Sequence, residues 1–189
     1  MDAYHHGNLK ADLLTRARTM IETVPGAAPS LRELARQAGV SATAVYHHFP
    51  SKEDLLAEVG ASLLEELMAD WDRLTLEELG QAYLGFFRSH PSALGLVFGP
   101  RLRKVPRIRE LQDKAYTALI ERLPPGPDGP DHRAGLAVWA LVQGLAHLYA
   151  DGALGADPEE CPGGPALWYQ EPPAVMAALA PLLEKMLTR

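Results

Sequence analysis

The sequence has little of what disulfide-stapled or membrane-spanning chains contain. Its 189 residues include a single cysteine, Cys161, so no intramolecular disulfide can form. Aromatic residues make up 7% and charged residues 22%, whereas hydrophobic residues make up 47%, the balance of an ordinary globular chain with its own core. The most apolar stretch, residues 134–155, is interrupted by Gln143, His147 and Asp151 and does not offer the uninterrupted span that a bilayer crossing requires.

Targeting signals and catalytic motifs are also missing. The N-terminal stretch MDAYHHGNLKADLL lacks the apolar segment of a signal peptide, which predicts a cytoplasmic protein without membrane association. The GxSxG elbow, the GxGxxG and Walker loops and the HExxH zinc motif are all absent. His47 and His48 would point about 100° apart on a helix, and no cysteine or carboxylate cluster accompanies them. We therefore expect no enzyme activity, no metal site and no resident cofactor.

Charge is distributed unevenly along the chain. Eighteen Lys and Arg against 24 Asp and Glu give a net charge of −6, which argues against a protein that coats nucleic acid without specificity. Residues 1–56 hold six basic and six acidic side chains, so the negative excess lies in residues 57–189. This difference in net charge between the N-terminal and C-terminal segments predicts that the chain has two functional parts.

Residues 101–109 form a basic run within this acidic part of the chain. The run is either a solvated face or a patch that attracts an anionic ligand, or DNA if it faces the N-terminal part. Residues 101–109 carry its five positive charges, on Arg101, Arg103, Lys104, Arg107 and Arg109.

Apolar residues recur at spacings of three and four along most of the chain, which predicts helices. Ser30, with Glu33 three residues later, has the spacing of a reciprocal capping box at a helix N-terminus. No strand alternation is present, so the predicted fold class is all-α. Residues 124–130 and 155–173 are rich in Pro and Gly and predict loops. The predicted helices cover residues 8–24, 31–38, 42–49, 52–71, 75–89, 91–100, 106–123, 131–151 and 173–188.

Two short helices in residues 30–49 have the spacing of a helix-turn-helix. Gly39 suits a left-handed backbone in the turn, Ala35 is the small residue where the helices meet, and Val45 is the apolar anchor of the second helix. Such a second helix can enter the major groove of DNA and read base edges. The residues left on its outer face are Ala42, Thr43, Tyr46 and His47.

The segment LRELARQAGVSATAVYHHFPSKEDLLAEV resembles the DNA-binding domain of the TetR family of transcriptional regulators. The distinguishing feature is YHHFPSKEDLL, in which aromatic and His residues end the recognition helix and a Lys opens the next helix; the leading YHHGNLKADLL is similar to the family's first helix. The resemblance implies a three-helix DNA-binding domain followed by a helical domain for ligand binding and dimerisation. We place the first domain at residues 1–50, a connecting helix at 51–72 and the second domain at 73–189.

The resemblance also implies which side chains contact DNA. In the family, the Tyr and the first His of the recognition helix and the following Lys contact mostly phosphates; by position these are Tyr46, His47 and Lys52. The start of the recognition helix is implied to approach bases or phosphates, and the N-terminus of the preceding helix to hold a phosphate. The side chains implied at those two places are Ser41, Ala42 and Thr43, and Ser30 and Arg32.

The C-terminal part resembles, more loosely, a TetR subgroup whose ligand domain has a Trp followed four residues later by His-Gly. Trp139 and Gly144 match this pattern, but Gln143 stands where the subgroup has His. The family resemblance implies that helices 131–151 and 173–188 form a four-helix dimer interface, and that a cavity between the middle helices receives a small molecule. Ligand sites are mostly apolar and aromatic; the candidate pocket residues, each otherwise a core residue, are Trp71, Tyr83, Phe86, Phe87, Phe98, Tyr116, Trp139, Gln143 and His147.

Together these features predict a sequence-specific transcriptional regulator, a repressor by family default. Its expected partners are a palindromic double-stranded DNA operator, a second copy of the chain in a homodimer, and a small-molecule effector of unknown identity that releases the DNA. The alternative is a helical ligand-binding or adaptor protein that keeps the fold without binding DNA.

Overall fold

A computed structural model of the protein describes residues 9–23, 29–155 and 170–187. These residues form nine α-helices and a short 3₁₀ turn, with no β-strand among them, which confirms the all-α prediction. Residues 156–169 of the second predicted loop, including Cys161, lie outside the described residues. The helices are α1 (Leu9–Thr23), α2 (Leu31–Ala38), α3 (Ala42–His48), α4 (Lys52–Leu67), α5 (Leu76–Ser89), α6 (Pro91–Val97), α7 (Pro106–Ile120), α8 (His132–Ala150) and α9 (Pro172–Leu187).

The connecting helix α4 is shorter than the sequence pattern predicts. It ends at Leu67 rather than near residue 72, and Trp71–Arg73 forms a 3₁₀ turn in which the Trp71 N–H donates to the Met68 carbonyl at 3.2 Å. Arg122 fixes this turn from α7's end, because its Nε donates to the Leu74 carbonyl at 2.8 Å. The helical spacing of apolar residues therefore continues to Trp71, although contacts with α7's end stop the helix at Leu67.

Side-chain caps set where the helices begin. Ser30 Oγ accepts the Glu33 N–H at 3.1 Å, but the reciprocal half of the predicted capping box is wrong, because the Glu33 carboxylate binds Arg36 and Gln37 instead. Two complete capping boxes stand elsewhere, Ser51 with Asp54 at α4 and Thr75 with Glu78 at α5.

Helices α1 to α3 form a small N-terminal bundle, and α4 leads from it into the C-terminal helices. Leu13, Leu34 and Val45 are fully buried in the bundle. Beyond it, α4 packs against α6 and α7, and α5 packs against α8 and α9. No helix in the described ranges is long and apolar enough to cross a membrane.

Candidate nucleic-acid interface

The turn between α2 and α3 has the geometry of a helix-turn-helix. Gly39 adopts a left-handed backbone with φ of 67°, where a side chain would be strained. The Val40 N–H then donates to the Ala35 carbonyl at 3.1 Å, and Ser41 caps α3 by accepting the Ala44 N–H at 3.2 Å. The turn is therefore formed by the residues that the sequence singles out.

Burial separates the two faces of α3. Val45 is fully buried and packs in the bundle with Ala35, which is also buried. Thr43, Tyr46 and His47 are exposed, and Tyr46 is one of four large hydrophobic side chains that are exposed among the described residues, at 45% exposure. Ala42 is half-buried. The outer face thus offers a hydroxyl, a phenol and an imidazole to a partner.

The remaining candidate DNA contacts lie at the N-termini of α2 and α4. Ser30 and Arg32 are exposed, and Arg32 forms no ion pair with any residue that the structure describes. Lys52 is the first residue of α4, half-buried, directly after the Ser51 cap. The N–H groups of a helix N-terminus carry partial positive charge and suit a phosphate. Arg36, by contrast, pairs with Glu33 at 2.5 Å and brings no net charge.

No metal centre is apparent at the paired histidines. The His47 and His48 rings meet edge to face at 5.8 Å between centroids. Within the described ranges there is no group of three or more His, Cys, Asp or Glu side chains that could hold a metal ion.

The aromatic residues proposed for a ligand pocket come together in one cluster around Tyr83. Its ring lies 4.9 Å from that of Phe87 and 6.0 Å from that of Trp139. The Tyr83 hydroxyl donates to Gln143 Oε1 at 2.6 Å, and burial raises the pKa of the Tyr83 phenol, which keeps it protonated as a donor. The other members of the cluster are Trp71, Phe86, Phe98 and Tyr116.

Two polar groups among the candidate residues, one inside the cluster and one outside it, differ in their surroundings. The indole Nε1 of Trp71 is buried without a hydrogen-bond partner among the described residues. His147 is exposed, and its Nδ1 lies 2.8 Å from the Gln143 carbonyl oxygen of its own helix. His147 is therefore the one candidate pocket residue that does not face the buried cluster.

A cavity of about 210 Å³ opens elsewhere in the C-terminal helices, between α5, α8 and α9. Gly80 makes room for α9 there, because a Cβ at this position would lie 2.6 Å from Met176 Cε. None of the nine candidate pocket residues lines this cavity, so their role as ligand contacts stays a prediction. The lining residues, which sequence reasoning missed, are Leu76, Glu77, Leu79, Gly80, Leu119, Val138, Val142, Met176, Ala180, Leu183, Glu184 and Leu187.

Ion pairs join the N-terminal bundle to the C-terminal helices along α4. Lys10 of α1 pairs with Glu58 of α4 at 3.3 Å, and Arg107 of α7 pairs with the same carboxylate at 3.5 Å. Farther along, Arg18 of α1 pairs with Glu66, which raises the pKa of Arg18 and lowers that of Glu66. Sequence reasoning missed these contacts because their partners lie more than 40 residues apart along the chain.

One surface of α8 and α9 is apolar and exposed in the single chain. Leu136 and Leu148 of α8 are 64% and 45% exposed, and Leu182 of α9 is 52% exposed. Between the two leucines of α8 lie the small exposed residues Ala140 and Gly144. Leu136, Ala140, Gly144 and Leu148 follow one another at spacings of four, so they lie along one side of α8, and an exposed apolar strip of this kind is typical of a protein interface.

Family models match both parts of the chain. Residues 13–59 match the model described as bacterial regulatory proteins, tetR family. Residues 76–161 match the model described as tetracyclin repressor-like, C-terminal domain.

Curated relatives include nucleoid occlusion factors. The nucleoid occlusion factor SlmA of Shewanella pealeana is 33% identical over 130 residues, which cover 61% of this chain and 66% of the relative. That of Vibrio vulnificus is 30% identical over 131 residues, 61% of this chain and 67% of the relative. The chain thus spans about two thirds of the length of these relatives.

Solved structures share the whole architecture. A protein of unknown function from Rhodococcus sp. RHA1 is 26% identical and superimposes with a TM-score of 0.77 over 100% of both chains. The ketosteroid transcriptional regulator KstR2 of Mycobacterium tuberculosis, 20% identical, matches 95% of both chains with a TM-score of 0.56. The TetR family regulator PfmR of Thermus thermophilus, 21% identical, matches 92% of this chain and 97% of that one with a TM-score of 0.60. With its helix-turn-helix and its helical C-terminal domain, this chain belongs to the TetR family of DNA-binding transcriptional regulators.

Proposed function

We propose that the protein is a repressor that binds a palindromic operator as a homodimer and leaves it when a small molecule binds the C-terminal domain. It acts in the cytoplasm, by recognition rather than by catalysis. The observation that carries the proposal is the outer face of α3, which exposes Thr43, Tyr46 and His47 while Val45 anchors the helix in the bundle.

The DNA contacts follow from this face and from two helix N-termini. Thr43 and its neighbours at the start of α3 approach base edges in the major groove, and Tyr46 and His47 reach phosphates. Arg32 and Lys52 add full positive charges beside the N-termini of α2 and α4. These are few cations per subunit, so operator affinity depends on two subunits binding together.

The dimer that this requires uses the exposed apolar surface of α8 and α9. In a two-fold assembly the same patch of each subunit faces its counterpart, so the surface must be complementary to itself. Leu136 and Leu148 supply apolar area, and Ala140 and Gly144 allow the two α8 helices to approach closely. The two recognition helices then lie about 34 to 36 Å apart, in successive major grooves.

The double variant L136E/L148E is expected to be monomeric. Dimerisation would bury four unpaired carboxylates, which costs at least about 3 kcal/mol, more than a 100-fold rise in the dimer dissociation constant. Sedimentation equilibrium measures this constant directly. The matched control is T117E, at an exposed position of α7, which should leave the dimer intact; a dimeric L136E/L148E would contradict the proposed interface.

Release of DNA requires the effector to favour one of two subunit arrangements. A difference in affinity of a few kcal/mol between the two arrangements is enough. Helix α4 is the element that transmits the change, because Lys10 and Arg18 tie it to α1 and Arg107 ties it to α7. Movement of the C-terminal helices therefore moves the recognition helices and alters their spacing.

Selection of random double-stranded oligonucleotides on the purified protein tests the proposal. An enriched palindrome is expected, with half-sites one helical turn apart. No enrichment, together with the absence of a bound small molecule in mass spectra of the denatured protein, would favour the adaptor function. Mapping the enriched sequence on the genome separates a repressor, whose sites lie at promoters, from a nucleoid occlusion role like that named for the curated relatives.

A further inference from the structure

Helix α6 runs back along α4 toward the DNA-binding end. It begins after His90, whose Nε2 lies 2.9 Å from Nη2 of Arg18, the partner of Glu66 near the C-terminus of α4. It ends at Val97, whose Cγ1 would lie 3.7 Å from a Cβ on Gly60 in the middle of α4. The turn that follows α6 is therefore directed toward the N-terminus of α4. Gly60 is eight residues from Lys52, about 12 Å along the helix axis.

This turn holds three cations, Arg101, Arg103 and Lys104, which we term the basic loop. All three side chains are exposed, and none forms an ion pair or hydrogen bond with a residue that the structure describes. Residues 98–109 contain no acidic side chain. The second domain, residues 73–189, carries 12 basic and 13 acidic side chains, and without these three cations its net charge would be −4, so the loop is a local concentration of uncompensated positive charge.

The basic loop is held firmly against α4. Leu102, in its centre, is fully buried, and its Cδ1 would lie 2.9 Å from a Cβ on Gly60, so the glycine leaves room for it. Just after the loop, Arg107 pairs with Glu58 at 3.5 Å and with Glu65 at 2.8 Å. Arg107 therefore attaches the end of the loop to α4 through ion pairs. The three cations of the basic loop are exposed to solvent on a backbone that these contacts hold in place.

We propose that the basic loop is a second, sequence-independent DNA contact, which attracts phosphates of the duplex flanking the operator. This inference rests on the proposed function. Exposed cations act on phosphates within about a Debye length, about 10 Å at 0.1 M salt. The loop places its cations on the DNA side of an otherwise acidic domain, so flanking duplex is attracted where the rest of that domain would repel it.

The experiment compares R101Q/R103Q with R73Q/K114Q, a control that also removes two exposed cations per subunit but lies outside the loop. Each protein is titrated with two duplexes, one ending at the operator's edges and one extended by about two helical turns on either side. Wild type and control are expected to bind the long duplex at least tenfold more tightly than the short one, and R101Q/R103Q less than threefold more tightly. Each phosphate contact adds about −0.9 to the slope of log K against log salt, so the six loop cations of a wild-type dimer should steepen the slope by up to about 5.4 on the long duplex. R101Q/R103Q removes four of the six and should lose up to about 3.6 of this increase.

Three results would overturn the inference: no dependence on flank length in the wild type, the same loss for the control pair, or an equal loss of R101Q/R103Q on both duplexes. Absence of any specific binding by the wild type would instead sink the proposed function, so the two failures are distinguishable.

Discussion

Replacing Tyr46 with alanine is expected to weaken operator binding by about 10² to 10⁴-fold without unfolding the protein. A hydrogen bond to a charged group is worth about 1.5–3 kcal/mol, and a homodimer loses two of them, about 3–6 kcal/mol in all. Tyr46 is 45% exposed on α3, so its removal should change the free energy of unfolding by less than about 1 kcal/mol. Fluorescence anisotropy with the selected operator and urea unfolding measure the two quantities.

Two further variants identify what the Tyr46 side chain supplies. Y46F keeps the ring and loses the hydroxyl, so it should show most of the loss in affinity if the phenol donates to a phosphate. K52A, at the first position of α4, should weaken binding to all sequences alike and reduce the salt slope by about 0.9 per subunit. A Y46A protein that binds its operator normally, or that unfolds, would refute a recognition role for this side chain.

The helix-turn-helix could be predicted from sequence because its signals are local. Ser41 caps α3, Gly39 takes the left-handed backbone and Val45 is buried, each as the spacing requires. The local rule failed at Glu33, which has the capping-box spacing but binds Arg36, because a salt bridge one turn away competes for the same carboxylate. The residue types near a helix end thus predict where the helix begins more reliably than they predict the hydrogen-bond partner of each side chain.

Features that depend on contacts between residues far apart in the sequence could not be predicted in this way. The end of α4 at Leu67 depends on Arg122, whose guanidinium holds the Leu74 carbonyl from 48 residues away. The aromatic residues expected to line a ligand pocket pack around Tyr83, whereas the cavity lies against Met176 of α9, where Gly80 leaves room for that side chain. The spacing of apolar residues and the composition indicate which side chains are buried. The position of a cavity, in contrast, depends on how the helices pack against one another.

Truncation of Phe87 to alanine is expected to have the largest effect on stability, a loss of about 3–5 kcal/mol in the free energy of unfolding. Phe87 is fully buried in α5, edge to face with Tyr83 at 4.9 Å and with Phe98 at 6.0 Å, so the variant leaves a cavity in the aromatic cluster. Since native proteins are stable by only about 5–15 kcal/mol, the transition should shift strongly.

Phe86 provides the matched control for this prediction. It lies next to Phe87 on the same helix, but it is half-buried and its ring rests on His90 at 4.6 Å. F86A therefore removes the same atoms from a site that water and neighbouring side chains can refill, and it should cost less than half as much. Urea unfolding is compared at one protein concentration, because dimerisation adds to the stability measured. If F86A costs as much as F87A, the deeper burial of Phe87 in the Tyr83 cluster is not what stabilises the C-terminal helices.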